Sequence, residues 1–307
     1  MKVGILGGGR WGQALARLAL AAGATPIIAY RDKADKPPHL LPSTDDAPSV
    51  AASCDLLVVA TSAAELRQAI RLARPHPGNR IVVAGRGLEP SRDGVARATW
   101  LSTVVAEECD AVRIGALAGP APVDEILNGG LCAGVVASPY DDVRALFTTA
   151  FHSTRYRVYE SPDLLGVQLA GAVVPVLATL LGMSSAMRGS GVGIHGMVLS
   201  RGLEEATRLA TAIGADPATF VGLAGVGDLV AAQGIPAHPY FKAGVALARG
   251  ERAEGPRALA EAVLALAAAH RVEMPLTAAM RAVWDGMPPI DAVQQLMARP
   301  ARAEHRA

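Results

Sequence analysis

No stretch of this chain carries charge of one sign. Its 29 Lys and Arg residues balance 28 Asp and Glu, for a formal charge of +1, so the field that draws nucleic acid is missing and no nucleic-acid partner is expected. Cysteine is scarce as well. Cys54, Cys109 and Cys132 are isolated, odd in number and form no CxxC pair, which argues against a disulfide framework and a zinc site and points to a reducing, cytoplasmic setting. No metal is expected. Met1-Lys2 lead straight into strand-like sequence without a basic n-region or a small-residue cleavage site, so export is not expected either. There is no internal repeat. What the chain does have is 307 residues, 51% of them hydrophobic and 19% charged, which suits a packed globular protein of two ordinary domains.

Residues 164–187 contain no charge and are long enough to cross a bilayer. Gln168, Pro175, Thr179 and the Ser184-Ser185 pair interrupt the segment, and no Lys or Arg clusters flank it. A fully buried core helix is therefore expected there, and no membrane span.

Residues 2–6 read as a buried strand, 7–12 as a turn and 13–22 as a helix, with a second strand at 25–30. Further strand-like runs at 55–60, 80–84, 111–118 and 133–137 alternate with helical or loop-like stretches, a spacing that calls for a parallel sheet covered on both faces. Residues 32–48, rich in Pro, Asp and Lys, read as a surface connection. Past Glu160 strand-like runs give way to helical patterns at 201–213, 256–270 and 276–284. Ser161-Pro162-Asp163 supplies a turn and cap signal at this change. The predicted architecture is a Rossmann domain over 1–160, doubly wound on a mostly parallel sheet, and an all-helical domain over 161–307 for substrate and dimerisation. Residues 300–307 read as a frayed tail.

Gly7-Gly8-Gly9-Arg10-Trp11-Gly12 fits G-x-G-x-x-G, and it stands where a strand precedes and a helix follows. Gly7, Gly9 and Gly12 permit the tight turn and close backbone approach that let a pyrophosphate sit on a helix N-terminus. NAD or NADP is the expected cofactor. Tyr30-Arg31-Asp32 ends the second strand, where the choice between the two is made. Arg31 suits a 2′-phosphate and Asp32 a ribose hydroxyl; the arginine comes first, which favours NADP.

These residues, with Arg86-Gly87-Leu88-Glu89-Pro90, the run 118–125 from Ala118 to Glu125, Arg201-Gly202-Leu203, the run 222–229 through Gly227-Asp228-Leu229, Glu254-Gly255 and the run 272–277, resemble the bacterial NAD(P)-dependent glycerol-3-phosphate dehydrogenases. The resemblance spans almost the whole chain in order. It implies a homodimer with a helical substrate domain, and reduction of dihydroxyacetone phosphate to sn-glycerol 3-phosphate for phospholipid synthesis. It places Arg10, Trp11, Arg31, Arg86, Val123 and Glu254 at the dinucleotide, and Arg86, Gly119, Ala121, Asp228, His238 and Tyr240 at the substrate.

The resemblance breaks on the substrate side. Where the family carries its proton-donating lysine, this chain has Val174, which holds no proton to give. His238-Pro239-Tyr240 replaces the family's Ser-Arg-Asn triplet, Ala121 its serine, and Val192-Gly193 its Asp-Asn pair. Arg86 stands for a second lysine and keeps the charge, but a guanidinium does not readily release a proton. His195 and His238 are the candidate replacement acids, since histidine titrates near neutrality; the alternative for each is a surface or core-satisfied ring. Lys242 is a candidate for anion binding or a solvated charge, and Trp100 and Trp284 read most simply as core or interface aromatics. Two functions follow: an NAD(P)-dependent dehydrogenase of a small carbonyl substrate, or a nucleotide-binding protein without turnover that serves as a sensor or partner subunit.

Overall fold

The structure, a computed structural model, describes residues 1–32, 36–37, 41–90, 98–187, 189, 191–234 and 238–300. The tail expected at 300–307 therefore lies outside the described residues beyond Pro300, as do residues 33–35 and 38–40 of the connection expected at 32–48.

The chain begins β1 (Lys2–Leu6), α1 (Arg10–Ala21), β2 (Thr25–Ala29), β3 (Ser43–Thr44), α2 (Ala47–Ser53), β4 (Leu56–Val59), α3 (Ala63–Ala73) and β5 (Arg80–Val83). A small hairpin follows, β6 (Leu88–Pro90) and β7 (Ala98–Trp100), before α4 (Leu101–Glu108), β8 (Arg113–Ala118), α5 (Val123–Leu127), β9 (Cys132–Ala137), α6 (Asp141–Phe151) and β10 (Tyr156–Ser161). Eight strands form one sheet in the order β10-β9-β8-β5-β4-β1-β2-β3. Every neighbour pairs in parallel except β8 and β9, which meet antiparallel with Leu117 opposite Val136.

The central strands are continuous apolar runs because both their faces are covered. All four residues of β4 are buried, with α1 and α6 contributing Leu15 and Phe147 to one core and α3 and α4 contributing Leu66 and Val104 to the other. The edge strand β10 alternates instead: Tyr156 and Val158 are buried while Arg157 and Tyr159 are exposed.

The reading of 32–48 as a plain connection needs correction. Ser43–Thr44 adds a parallel edge strand beside β2, and Asp46 caps α2 by accepting from the Ser49 amide. Helix α1 starts at Arg10 rather than residue 13, since Gly9 is its N-cap and the second half of the glycine motif is already helical. The short strands β6, β7 and β10 also escaped the sequence pattern.

Beyond Ser161 the described residues contain no strand. They form α7 (Leu164–Ala186), α8 (Val192–Ala212), a 3₁₀ turn (Pro217–Val221), a π turn (Leu223–Gly227), α9 (Asp228–Gly234), α10 (Pro239–Ala248), α11 (Arg257–Ala269), α12 (Pro275–Trp284) and α13 (Pro289–Met297). The uncharged segment 164–187 is α7. It is long and apolar enough to cross a membrane, yet 89% of its most apolar stretch is buried inside the protein, consistent with the buried core helix expected from sequence. Asp163 caps it by accepting from the Gly166 amide at 3.0 Å, as the turn signal predicted. Small residues let α10 approach closely: a methyl at Gly182 would overlap the Phe241 carbonyl, and one at Gly244 the Thr179 carbonyl.

Candidate active site

The three motif glycines do separate jobs. Gly7 has φ of 121° and lies so close to the next strand that a Cβ would sit 2.9 Å from the Ala60 carbonyl oxygen, so only glycine fits. A methyl at Gly12 would overlap the Gly7 carbonyl, which fastens α1 against the turn. Gly9 faces open space, with nothing within 4 Å of a Cβ built there. That is the glycine left free for a ligand.

The first-turn amides of α1 have no partner within the helix and point at this space. The cleft beside it holds about 690 Å³ and is lined by Gly7, Gly8, Gly9, Arg31, Thr61 and Glu65 among others. Thr61 Oγ1 is buried without a hydrogen-bond partner among the described residues, an arrangement that calls for a polar ligand or water. Open glycine, free amides and an orphaned hydroxyl in one cleft fit a dinucleotide.

Arg31 lies in this cleft as the sequence predicted, and each of its three side-chain nitrogens has a partner. It donates to Asp32 Oδ2 at 3.1 Å, Glu65 Oε1 at 3.2 Å and Gln68 Oε1 at 3.0 Å. Arg71 and Arg74 line the same cleft. On the other flank Arg10 pairs with Asp124 in the first turn of α5, and Trp11, Ala121 and Val123 pack against one core. Trp11 Nε1 donates to the Ala84 carbonyl at 2.9 Å, tying the glycine turn to the end of β5.

Two residues further on, Arg86 forms a second centre. Its Nη1 and Nη2 both bind the Asp228 carboxylate, the latter at 2.9 Å, and Nη2 also donates to the Gly119 carbonyl at 3.3 Å. Burial pulls the Arg86 pKa down, but Asp228 more than offsets this and holds it above the ordinary value. His238, the N-cap of α10, lies against this pair. Burial and the Arg86 charge lower its pKa, with Asp228 opposing, which favours the neutral ring. Its Nδ1 is buried without a partner among the described residues, and its ring tilts toward Tyr240 with centroids 5.4 Å apart.

Helix α7 passes beside Arg86: a Cβ on Gly171 would lie 3.8 Å from Arg86 Cα and 3.5 Å from Gly87 N. Val174, one turn further along, is 2% exposed. The position where the family keeps its lysine is therefore an apolar core site. From the other side, Leu259 of α11 presses on Gly87, whose φ is 105°.

The remaining candidates scatter. His195 Nδ1 faces Gln233 Nε2 at 3.3 Å, and Lys242 is exposed. Glu254 lines a different cleft of about 1240 Å³ with Arg257 and Trp284, while Trp100 and Trp284 pack on the α7 core. Among the described residues no group of three His, Cys, Asp or Glu side chains is placed to hold a metal. Sequence reasoning passed over Thr61, an ordinary strand-end residue, and Tyr156. The Tyr156 hydroxyl is buried against Gly134 without a partner among the described residues, and burial raises its pKa. It also passed over Glu205 on α8, whose buried carboxylate accepts from the Leu276 amide at 2.6 Å and so caps α12.

Residues 30–144 match the family model for the N-terminus of NAD-dependent glycerol-3-phosphate dehydrogenase, and residues 163–294 match the model for its C-terminus. The chain is 35% identical to a glycerol-3-phosphate dehydrogenase [NAD(P)+] of Symbiobacterium thermophilum, covering 99% of this chain and 96% of that relative. It is 36% identical to one of Methylibium petroleiphilum, over 100% and 99% of the two chains. The crystal structure of a glycerol-3-phosphate dehydrogenase from Coxiella burnetii superposes with a TM-score of 0.85 at 27% identity, covering 97% of this chain and 99% of that one.

Proposed function

Because the chain belongs to the NAD-dependent glycerol-3-phosphate dehydrogenase family, we propose that it is an NAD(P)-dependent oxidoreductase acting on CH–OH groups, which reduces dihydroxyacetone phosphate or a related small hydroxycarbonyl compound. One observation carries the reading. The Trp11 indole joins the glycine turn to Ala84, two residues before Arg86, so a cofactor cleft and a polar centre share one anchor at the carboxyl ends of the central strands, where α/β proteins bind ligands.

The nicotinamide, when bound, supplies the hydride. The chain's own groups do the rest. The α1 amides would hold the pyrophosphate, and Arg31, whose exposed ion pairs with Asp32 and Glu65 are screened by water and exchange readily, supports a 2′-phosphate and hence NADP, with Arg71 and Arg74 in the same cleft. Arg86 stabilises negative charge developing on the carbonyl oxygen. Of the candidate acids, His238 shares a centre with Arg86, which supports it as the donor of a hydrogen bond to that oxygen. Residues 1–160 would hold the cofactor and 161–307 the substrate, within a cytoplasmic homodimer.

The burial of Val174 favours a second reading, nucleotide binding without turnover. The test is to mix the protein with NADPH or NADH and small hydroxycarbonyl compounds, dihydroxyacetone phosphate included, and follow the absorbance of the reduced nicotinamide. Turnover on the order of one per second or more eliminates the binding-only reading. No oxidation with any of them, in a protein that binds NADPH, eliminates the dehydrogenase.

A further inference from the structure

We propose that the centre around Arg86 selects an uncharged hydroxyketone or hydroxyaldehyde over a phosphate ester, because Asp228 already occupies the guanidinium face that an anion would need. The inference rests on the dehydrogenase reading above and names its substrate class.

Holding a phosphate takes free cationic donors in a fork or cluster. The fork here is closed. Both Nη atoms of Arg86 bind Asp228, and Nη2 is shared with the Gly119 carbonyl. Asp228 is 3% exposed and is the first residue of α9, so its carboxylate is anchored by a helix and screened poorly by water. A phosphate arriving at Arg86 meets that carboxylate at close range, in surroundings where like charges repel most strongly.

Among the described residues no further positive charge weighs on this centre. The charged groups there that shift His238 are Arg86 and Asp228, and burial and Arg86 together favour its neutral ring. Position 174 is a buried valine, position 239 a proline and Lys242 is exposed. What the centre offers is a neutral ion pair and an imidazole whose buried Nδ1 lacks a partner. A substrate hydroxyl satisfies Nδ1 in either tautomer, since it both donates and accepts; a phosphate dianion only accepts. Hydroxyl and carbonyl groups match this centre, and a net negative group does not.

The test compares dihydroxyacetone with dihydroxyacetone phosphate as substrates for the purified protein with NADPH and NADH. Alongside, inorganic phosphate is titrated calorimetrically into the protein without cofactor. The expected kcat/KM for dihydroxyacetone is at least about tenfold the higher, with no phosphate binding at about 1 mM. Asp228→Asn, which frees the guanidinium while keeping the side-chain shape, should lower that ratio at least about tenfold and bring phosphate binding into range. A parent ratio below tenfold overturns the inference, and so does phosphate binding by the parent. Activity on the phosphate ester alone leaves the dehydrogenase standing and removes the substrate class. Absence of turnover on both, with cofactor bound, overturns the dehydrogenase and the inference with it. If Asp228→Asn does not fold, the parent's ratio and phosphate titration decide.

Discussion

Arg86 and Asp228, 142 residues apart in the chain, meet through both oxygens of the carboxylate. The pair fastens the segment after β5 to the first turn of α9 and buries an opposite charge on each side, with Asp228 only 3% exposed. Removing one partner strands the other. Asp228→Ala should therefore cost about 3 kcal/mol of unfolding free energy, the lower end of the range for broken buried pairs because the Arg86 side chain is 29% exposed. Denaturant unfolding of parent and variant checks this; a cost under about 1 kcal/mol would mean that water replaces the carboxylate readily.

Gly9 and Gly12 separate binding from folding. Gly9→Val places its Cβ in open space, since nothing lies within 4 Å of a Cβ at that position, so its melting temperature should stay near the parent's. NADH and NADPH affinity should drop at least about tenfold, as the side chain fills the pyrophosphate's approach. Gly12→Ala has the opposite signature, lost stability, because its methyl overlaps the Gly7 carbonyl. Thermal melts with cofactor titration distinguish the two, and undiminished affinity in Gly9→Val would place the cofactor elsewhere.

Arg31→Ala bears on cofactor choice. The guanidinium is now held by Asp32, Glu65 and Gln68, partners that a 2′-phosphate would have to displace or share. NADPH binding should weaken about tenfold or more and NADH binding about twofold or less, measured by fluorescence titration. Equal losses would assign Arg31 to the cleft wall alone.

Val174→Lys puts an amine next to the Arg86 segment. Reduction of the preferred carbonyl substrate should rise at least about tenfold if the pocket can use a proton donor there. Val174 is 2% exposed, so the same change should lower the melting temperature and depress the new lysine's pKa. A folded, cofactor-binding variant with unchanged rate would show that the carbonyl oxygen does not come within reach of this position.

Glu205 makes stability fall with pH. Burial raises its pKa from 4.5 to about 7, against the opposing pull of the Leu276 and Thr277 amides and of Arg208. The folded state thus holds this proton more tightly than the unfolded chain does. The contribution is full below about 4.5 and is lost as pH rises through about 7, with a slope of at most about 1.4 kcal/mol per pH unit. Glu205→Gln should remove this slope, so unfolding curves of the two proteins should diverge between pH 5 and pH 8 in favour of the variant. Parallel curves would mean that the carboxylate is ionised throughout.

Local signals made the frame legible. Residues 2–22 read as strand, turn and helix because each step has its own local chemistry: an apolar run, glycines, then helix formers. The buried helix at 164–187 was readable because no charge interrupts it. The strand β10 was missed because an edge strand with Arg157 and Tyr159 facing water lacks the continuous apolar run of β4. The resemblance put Arg86 and Asp228 at one site, but that they pair with each other, that Arg31 reaches Glu65 and that Glu205 reaches Leu276 were invisible for a different reason. Each contact joins a charged side chain to a residue 34 to 142 positions away, and no local pattern encodes such a meeting.

Helix α7 also sets a demand on synthesis. It is apolar on every side, and the helices that enclose it, α8, α9, α10, α11 and α12, all follow it in the chain, the last ending at Trp284. At about 5–20 residues per second, a ribosome needs roughly 5–20 s to deliver them after α7 emerges. For that interval the nascent chain displays a segment of bilayer-spanning length, with only the sheet domain already available to shelter it. Transiently exposed apolar surface of that size is where aggregation competes with folding, so the yield of folded protein depends on how long the chain takes to wrap its own central helix.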